Sequence, residues 1–161
     1  MHATKSGVAG AMSATHGYAS GGTTNPGTTT YNVIDKFPFA SDTNATDIGD
    51  LGQAMHQQCG FSSDTHGFKT GGLRAPGPAL NITYKIAFAS DGNATTGVSM
   101  GSNGSFKAGA QSHFKGYFGG GDPRGPTYSD DIYKYNFGSS ESVADIGSLT
   151  SKRYGAGGVS N

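Results

Sequence analysis

Five histidines are the first residues in this chain that could hold a metal. His16 and His66 occupy matching places in two related stretches, Thr15-His16-Gly17-Tyr18 and Thr65-His66-Gly67-Phe68. Three imidazoles around a common axis would suit zinc or nickel. The third matching place, however, is Lys115, with His113 two residues before it. A lysine there repels a cation, and no carboxylate or cysteine recurs at a matching position. The reading is therefore of neutral imidazoles bonded to their own loops, with no metal and no other cofactor. His2 and His56 have no counterparts and are expected to face solvent. The run Asp42-Thr43-Asn44-Ala45-Thr46-Asp47 alternates oxygen ligands as a calcium loop does. It lacks the sixth-place glycine and the distal glutamate such loops use, so Asx and Ser/Thr self-capping accounts for it. Cys59 has no His–Asp pair placed beside it, and a single cysteine permits no intrachain disulfide. The Gly119-Gly120-Gly121 run precedes no helix that could offer its N-terminus to a phosphate. These residues point to a chain that is not an enzyme.

The elements that position these groups come from an internal repeat. Phe39-Ala40-Ser41-Asp42 returns as Phe88-Ala89-Ser90-Asp91 and, more weakly, as Phe137-Gly138-Ser139-Ser140. Asp47-Ile48-Gly49-Asp50-Leu51 returns two periods later as Asp145-Ile146-Gly147-Ser148-Leu149. Lys36, Lys85 and Lys134 are spaced 49 residues apart. The whole chain, 1–161, reads as one domain of three tandem copies, at about 5–56, 57–103 and 104–153, with 154–161 as an extra strand. That last segment, Tyr154-Gly155-Ala156-Gly157-Gly158-Val159, echoes Gly7-Val8-Ala9-Gly10-Ala11 and begins a fourth copy.

Each copy has the pattern of four short strands. Alternate residues Val33, Asp35, Phe37 and Phe39 share one face, as do Ile82, Tyr84, Ile86 and Phe88, and Tyr133, Tyr135 and Phe137. Phe39, Phe88 and Phe137 are expected to be buried between neighbouring copies, with the three lysines on the opposite, solvated face. A second strand in each copy stops at Gly21-Gly22, Gly71-Gly72 or Gly120-Gly121. Proline loops follow, over residues 23–31, 73–81 and 122–130, where proline withholds a donor from any ladder. Small-residue segments precede the second strand (Gly7 to Ala14, Gly60 to Ser63, Gly104 to Gln111) and suit close backbone approach.

Composition agrees with many strands joined by turns. Glycine contributes 28 residues, serine plus threonine 34, and Phe plus Tyr 17, so long helices are nearly excluded. The 11 basic and 11 acidic residues give zero formal charge, leaving no basic stripe for nucleic acid. No apolar run approaches the roughly 20 residues of a membrane span. Residues 1–10 hold no apolar stretch, so no secretory signal is expected.

A four-stranded unit near 49 residues, with a glycine pair closing its second strand and an aromatic three positions earlier, resembles the kelch repeat of β-propellers. The resemblance departs at the fourth strand: no tryptophan exists, with Thr46, Thr95 and Asp145 near its place, and Arg153 is the nearest match to the kelch arginine. The phrase running from Ile34 to Leu51 and then from Ser62 to Gly72 resembles repeats in virion proteins of phages, notably cyanophages and other marine phages. This resemblance implies an all-β fold of three kelch-like four-stranded propeller blades. It also implies a structural component of a phage virion, in the tail, a fibre or the capsid surface. The alternative is a carbohydrate-binding, lectin-like module, as a β-trefoil of three copies. Its partners would be other virion proteins, further copies of this chain as a homo-oligomer, and a host-surface glycan. It would be made in the host cytoplasm and reside in the virion. Binding falls to the proline loops, where Tyr31, Arg74, Arg124 and Tyr128 are the side chains suited to recognition.

Overall fold

The computed structural model describes residues 4–24 and 29–158, and all regular structure among them is β. The first copy forms β1 (Lys5–Ser6), β2 (Ala9–Met12), β3 (His16–Ser20), β4 (Thr23–Thr24), β5 (Val33–Pro38) and β6 (Thr46–Asp50). The second forms β7 (Cys59–Ser62), β8 (His66–Thr70), β9 (Thr83–Ala87) and β10 (Thr95–Thr96). The third forms β11 (Ala108–Ser112), β12 (Lys115–Gly119), β13 (Asp131–Asn136) and β14 (Ser142–Ser148). These make three antiparallel four-stranded meanders, in the orders β2-β3-β5-β6, β7-β8-β9-β10 and β11-β12-β13-β14, and β1 pairs with β4 in a short ribbon. Register repeats with the sequence: Tyr18 opposes Lys36, Phe68 opposes Lys85, and Tyr117 opposes Lys134. The alternative of a β-trefoil is set aside, because a trefoil shares its strands in one closed barrel, whereas among the described residues these sheets stay separate and none closes.

The sheets stand side by side, with their first strands in contact. A Cβ on Gly60 would collide with the Gly10 carbonyl, one on Gly109 with the Gly60 carbonyl, and one on Gly158 with the Gly109 carbonyl. Only glycine lets the backbones approach this closely. Entry into each first strand is tied to the preceding one. Gln57 N–H donates to the Gly7 carbonyl (2.7 Å), Phe106 N–H to that of Gln57 (2.9 Å), and Gly155 N–H to that of Phe106 (3.0 Å). All four residues have left-handed backbones, with φ between 53° and 68°. Residues 154–158 therefore lie where the first strand of a fourth sheet would begin. Their described part forms no strand, which corrects the expected extra strand for 154–158; residues 159–161 lie outside the described residues.

Aromatic side chains fill the gaps between sheets. Between the first and second sheets pack Tyr18, Ile34, Leu51, Met55, Tyr84 and Ile86. Between the second and third pack Phe61, Phe68, Met100, Phe118, Tyr133 and Tyr135. Phe88 stacks on Tyr18 at 4.9 Å and Phe137 on Phe68 at 5.0 Å, both between sheets as expected but partly rather than fully buried. Phe39 departs from that expectation and is 53% exposed. Its face is the same, but among the described residues no sheet stands in front of it. The lysines depart too. Lys36 reaches across the gap to Asp91 (2.7 Å) and Lys85 to Glu141 (2.6 Å), both lysines being largely sheltered. The face opposite the aromatics is solvent in an isolated strand but the next sheet here.

Gly109→Ala is expected to cost about 1–3 kcal/mol by forcing two backbones apart, whereas Gly10→Ala, whose Cβ meets no atom, should leave urea midpoints nearly unchanged. Equal effects at both positions would contradict this packing. In the same assay Phe88→Ala and Phe137→Ala should each lose about 2–4 kcal/mol, and Phe39→Ala under about 0.5.

Candidate functional site: the loop rim and the buried polar groups

In a meander, the loops between second and third strands leave from one end of each sheet, together with the connections to the next sheet. Here that end is organised by the glycine pairs. Gly21, Gly71 and Gly120 have φ of 69°, 67° and 64°, and Gly22, Gly72 and Gly121 have φ of 97°, 99° and 108°. The second glycine of each pair donates its N–H to the chain entering the following sheet, at the carbonyls of Met55 (2.9 Å), Gly104 (2.8 Å) and Arg153 (2.8 Å). Arg153 thus takes part through its backbone carbonyl, and its guanidinium bonds only Thr150 and Ser151 among the described residues. The carbonyl of the same glycine closes the loop by accepting from Tyr31, Leu80 or Ser129 N–H (2.9, 2.9 and 3.0 Å).

The four recognition candidates sit on this rim. Arg74 and Arg124 are exposed. Arg124 is held in a left-handed conformation (φ 63°) by an Asx turn in which its N–H donates to Asp122 Oδ1 (2.7 Å). Tyr128 is exposed with its ring 4.4 Å from Tyr154, which in turn lies edge-on to Phe106 at 5.8 Å. Tyr31 is half-buried, with Lys5 Nζ 5.3 Å above its ring. No hydrogen bond or ring contact joins these four to one another among the described residues. The tip of the first loop, residues 25–28, lies outside the described residues. Phe106 and Tyr154 were not singled out from sequence. The signal that could have found them is their place, at the entry into successive first strands. Arginine forks and tyrosine faces on a polar rim can hold carboxylates or stack on flat sugar faces.

The remaining chemistry-bearing groups are tied into the frame. His16 and His66 each bond the hydroxyl of the preceding threonine through Nδ1 (2.8 and 2.9 Å). Burial lowers the His66 pKa, aided by Lys85. His113 lies 3.5 Å from Asp64. His56, expected in solvent, is buried: its backbone pairs with Leu73, and burial, then Arg124, lowers its pKa. In the calcium-like turns the oxygens take protein donors. Asp47 and Asp145 accept from Gly49 and Gly147 N–H (3.1 and 3.0 Å), and Asn93 accepts from Asp50 N–H (2.9 Å). Among the described residues no group of three His, Cys, Asp or Glu could hold a metal.

Lys69 is fully buried, and its Nζ donates to the carbonyls of Ala9 (2.8 Å) and Tyr18 (3.4 Å) on the first sheet. Burial drives its pKa down to about 7. Lys107 is shifted the same way, and its Nζ donates to the Gly120 carbonyl (2.8 Å). Burial pushes the Cys59 thiol up to about 12, so at neutral pH it is neither thiolate nor nucleophile.

The fold and rim together define an all-β, antiparallel repeat protein of three four-stranded sheets with loops gathered at one end. A solved structure of YjhT has a similar arrangement, with a TM-score of 0.77 at 11% identity over 93% of this chain. The chain spans about half of that neighbour, 54% of its length, and the likeness concerns the fold alone. No family profile matches the chain, and no curated protein does. No helix among the described residues is long and apolar enough to cross a membrane.

Lys69 makes stability depend on pH. The unfolded chain keeps the lysine proton up to its ordinary 10.5, while the folded chain releases it near 7. From pH 7 upward the unfolded state therefore binds more protons, and stability rises with pH. Above 9 Cys59 opposes this, because the unfolded thiol ionises there and the folded one does not until about 12. Urea midpoints are expected to climb between pH 7 and about 8.5, and Lys69→Met should flatten the climb. A midpoint that falls over this interval would contradict the burial of Lys69.

Proposed function

We propose that the protein is a structural component of a phage virion, a tail, fibre or capsid-surface element without catalytic activity, built from three kelch-like propeller blades. The observation that carries this reading is the equivalence of the three glycine corners. Their backbone bonds fix a rigid frame, while the loops they release differ in every copy. The repeat phrase starting at Ile34, with its resemblance to phage virion repeats, supports the particle as the setting. The blades are the copies at about 5–56, 57–103 and 104–153, made in the host cytoplasm and carried in the virion. Other virion proteins and further copies of the chain are the assembly partners. A host-surface glycan is the proposed ligand of the rim, where Arg124 supplies donors and Tyr128 and Tyr154 supply faces for stacking.

Gold-labelled antibody against the chain should mark purified particles at a fixed, repeated place. A chain absent from particles and free in the host lysate would end the virion reading. For the rim, the pair of substitutions Arg124→Ala and Tyr128→Ala should weaken binding to host cells at least about fivefold, as loss of central arginine and tyrosine contacts does. Stability should stay within about 0.5 kcal/mol, since both side chains are exposed. Unchanged binding would remove the rim as the attachment surface.

A further inference from the structure

The two inter-sheet gaps are built from the same positions, and the two ends of the chain expose the two halves of such a gap. In the first gap Tyr18 stacks on Phe88 and Lys36 pairs with Asp91. In the second Phe68 stacks on Phe137 and Lys85 pairs with Glu141. The far side of the third sheet repeats the first half: Tyr117 stands in register with Lys134, as Phe68 does with Lys85. Lys134 has no ion pair among the described residues. The near side of the first sheet repeats the other half. Phe39 corresponds to Phe88 and is 53% exposed, and Asp42, corresponding to Asp91, is exposed too. Phe37 folds its ring over Gly17, where in the third sheet Phe61 of the preceding sheet covers Gly116. One end thus offers an aromatic face with a carboxylate, and the other an aromatic face with an ammonium.

We infer that a second copy of this chain docks head to tail, the outer face of the third sheet of one copy against the outer face of the first sheet of the other, with Lys134 of one paired to Asp42 of the other. The inference rests on reading the sheets as propeller blades and is independent of the virion assignment. Made twice about a twofold axis, the contact closes a ring of six sheets with no free end. The YjhT neighbour matches this chain over only 54% of its length, so its remainder is nearly as long as the matched part and comparable to what a second copy adds.

One segment stands in the way. Residues 154–158 lie against the third sheet as residues 57–60 lie against the first: Gly155 N–H bonds the Phe106 carbonyl, and Gly158 lies on Gly109. The incoming copy brings its own Gly7 and Gly10 to that place, and the two cannot share it. The segment is a placeholder that the incoming first strand displaces.

The test measures mass by sedimentation at several concentrations, for the full chain, for a chain ending at Arg153, and for Asp42→Lys, Lys134→Glu and both together. Dimers are expected from the full chain. The dissociation constant should rise at least about tenfold for each single charge reversal and return to within about threefold in the double variant, where the pair is re-formed with opposite sign. Removal of 154–161 should tighten the dimer about tenfold or more, since the competitor is gone. The full-length charge variants keep the test decisive if the shortened chain fails to fold. Monomers at all concentrations up to about 0.5 mM, weaker than any specific contact of this size, would overturn the proposal. So would an assembly indifferent to both charge reversals, or one lost on removal of 154–161 from a chain that still folds. Virion labelling is read separately, so either proposal can fail without the other.

Discussion

Everything in this fold depends on how closely the first strands approach one another. Gly60 over Gly10, Gly109 over Gly60 and Gly158 over Gly109 leave no volume for a Cβ, so successive sheets are drawn together at their inner edges. The backbone polar groups at this edge are satisfied from sheet to sheet, by the chain of bonds from Gly155 through Phe106 and Gln57 to Gly7. The left-handed conformations of Gln57 and Phe106 cost energy that glycine would not. They persist because the N–H of each is fixed on the preceding copy, while its carbonyl accepts from the next entry segment, from Phe106 for Gln57 and from Gly155 for Phe106. The abundance of glycine, which taken alone suggests a chain too flexible to fold, is here what makes the close packing feasible.

Close inner edges with ordinary strand spacing leave a gap between sheet faces, and aromatic rings fill it. A chain with few aliphatic residues can do this because each stacked pair buries large area, and ring geometry adds about 0.5–1.5 kcal/mol beyond that area. The lysines cross the same gap. Lys36–Asp91 and Lys85–Glu141 keep partial contact with water, so each contributes modestly while fixing the offset between sheets. Glu141 also accepts the Tyr135 hydroxyl at 2.9 Å, which ties the ion pair to the aromatic layer. Lys69 is the extreme case. With only carbonyl acceptors around Nζ and no carboxylate, releasing its proton is easier than holding a buried charge.

Period, strand number and glycine corners were legible in the sequence, because each is a local pattern repeated with the same spacing. The division of faces was legible as well: Tyr84, Ile86 and Phe88 do share a side, as do Tyr133, Tyr135 and Phe137. What the pattern could not reveal is what stands opposite a face. Phe39 and Phe88 each open the same Phe-Ala-Ser-Asp turn, yet among the described residues only Phe88 has a sheet in front of it. Lys36 read as solvated because strand alternation distinguishes two faces, and says nothing of a carboxylate 55 residues away. His56 was misplaced for the same reason. Its lack of a repeat partner is a fact about sequence, while its burial accompanies backbone pairing with Leu73 of the next copy. On the rim, Arg124 and Tyr128 were found from residue type, but the aromatic company of Tyr128 depends on the course of residues 154–158.

The use made of the polar residues separates the frame from the rim. His16, His66, Asp47, Asp145 and Asn93 look like ligands or catalysts in a linear reading, and each is engaged in its own turn or the neighbouring sheet. Each of these bonds fixes the orientation of its side chain within the copy or against the neighbouring sheet. Arg74, Arg124 and Tyr128 carry no such obligation to the strands. The Arg124 guanidinium is exposed while its backbone is fixed by Asp122, so the loop is ordered and the side chain is free to meet a partner. Preorganised backbone beneath exposed arginine and tyrosine lowers the entropy lost on contact. This division, with polar side chains inside the copies serving the fold and those on the loops left exposed, is what supports recognition as the proposed use of the rim.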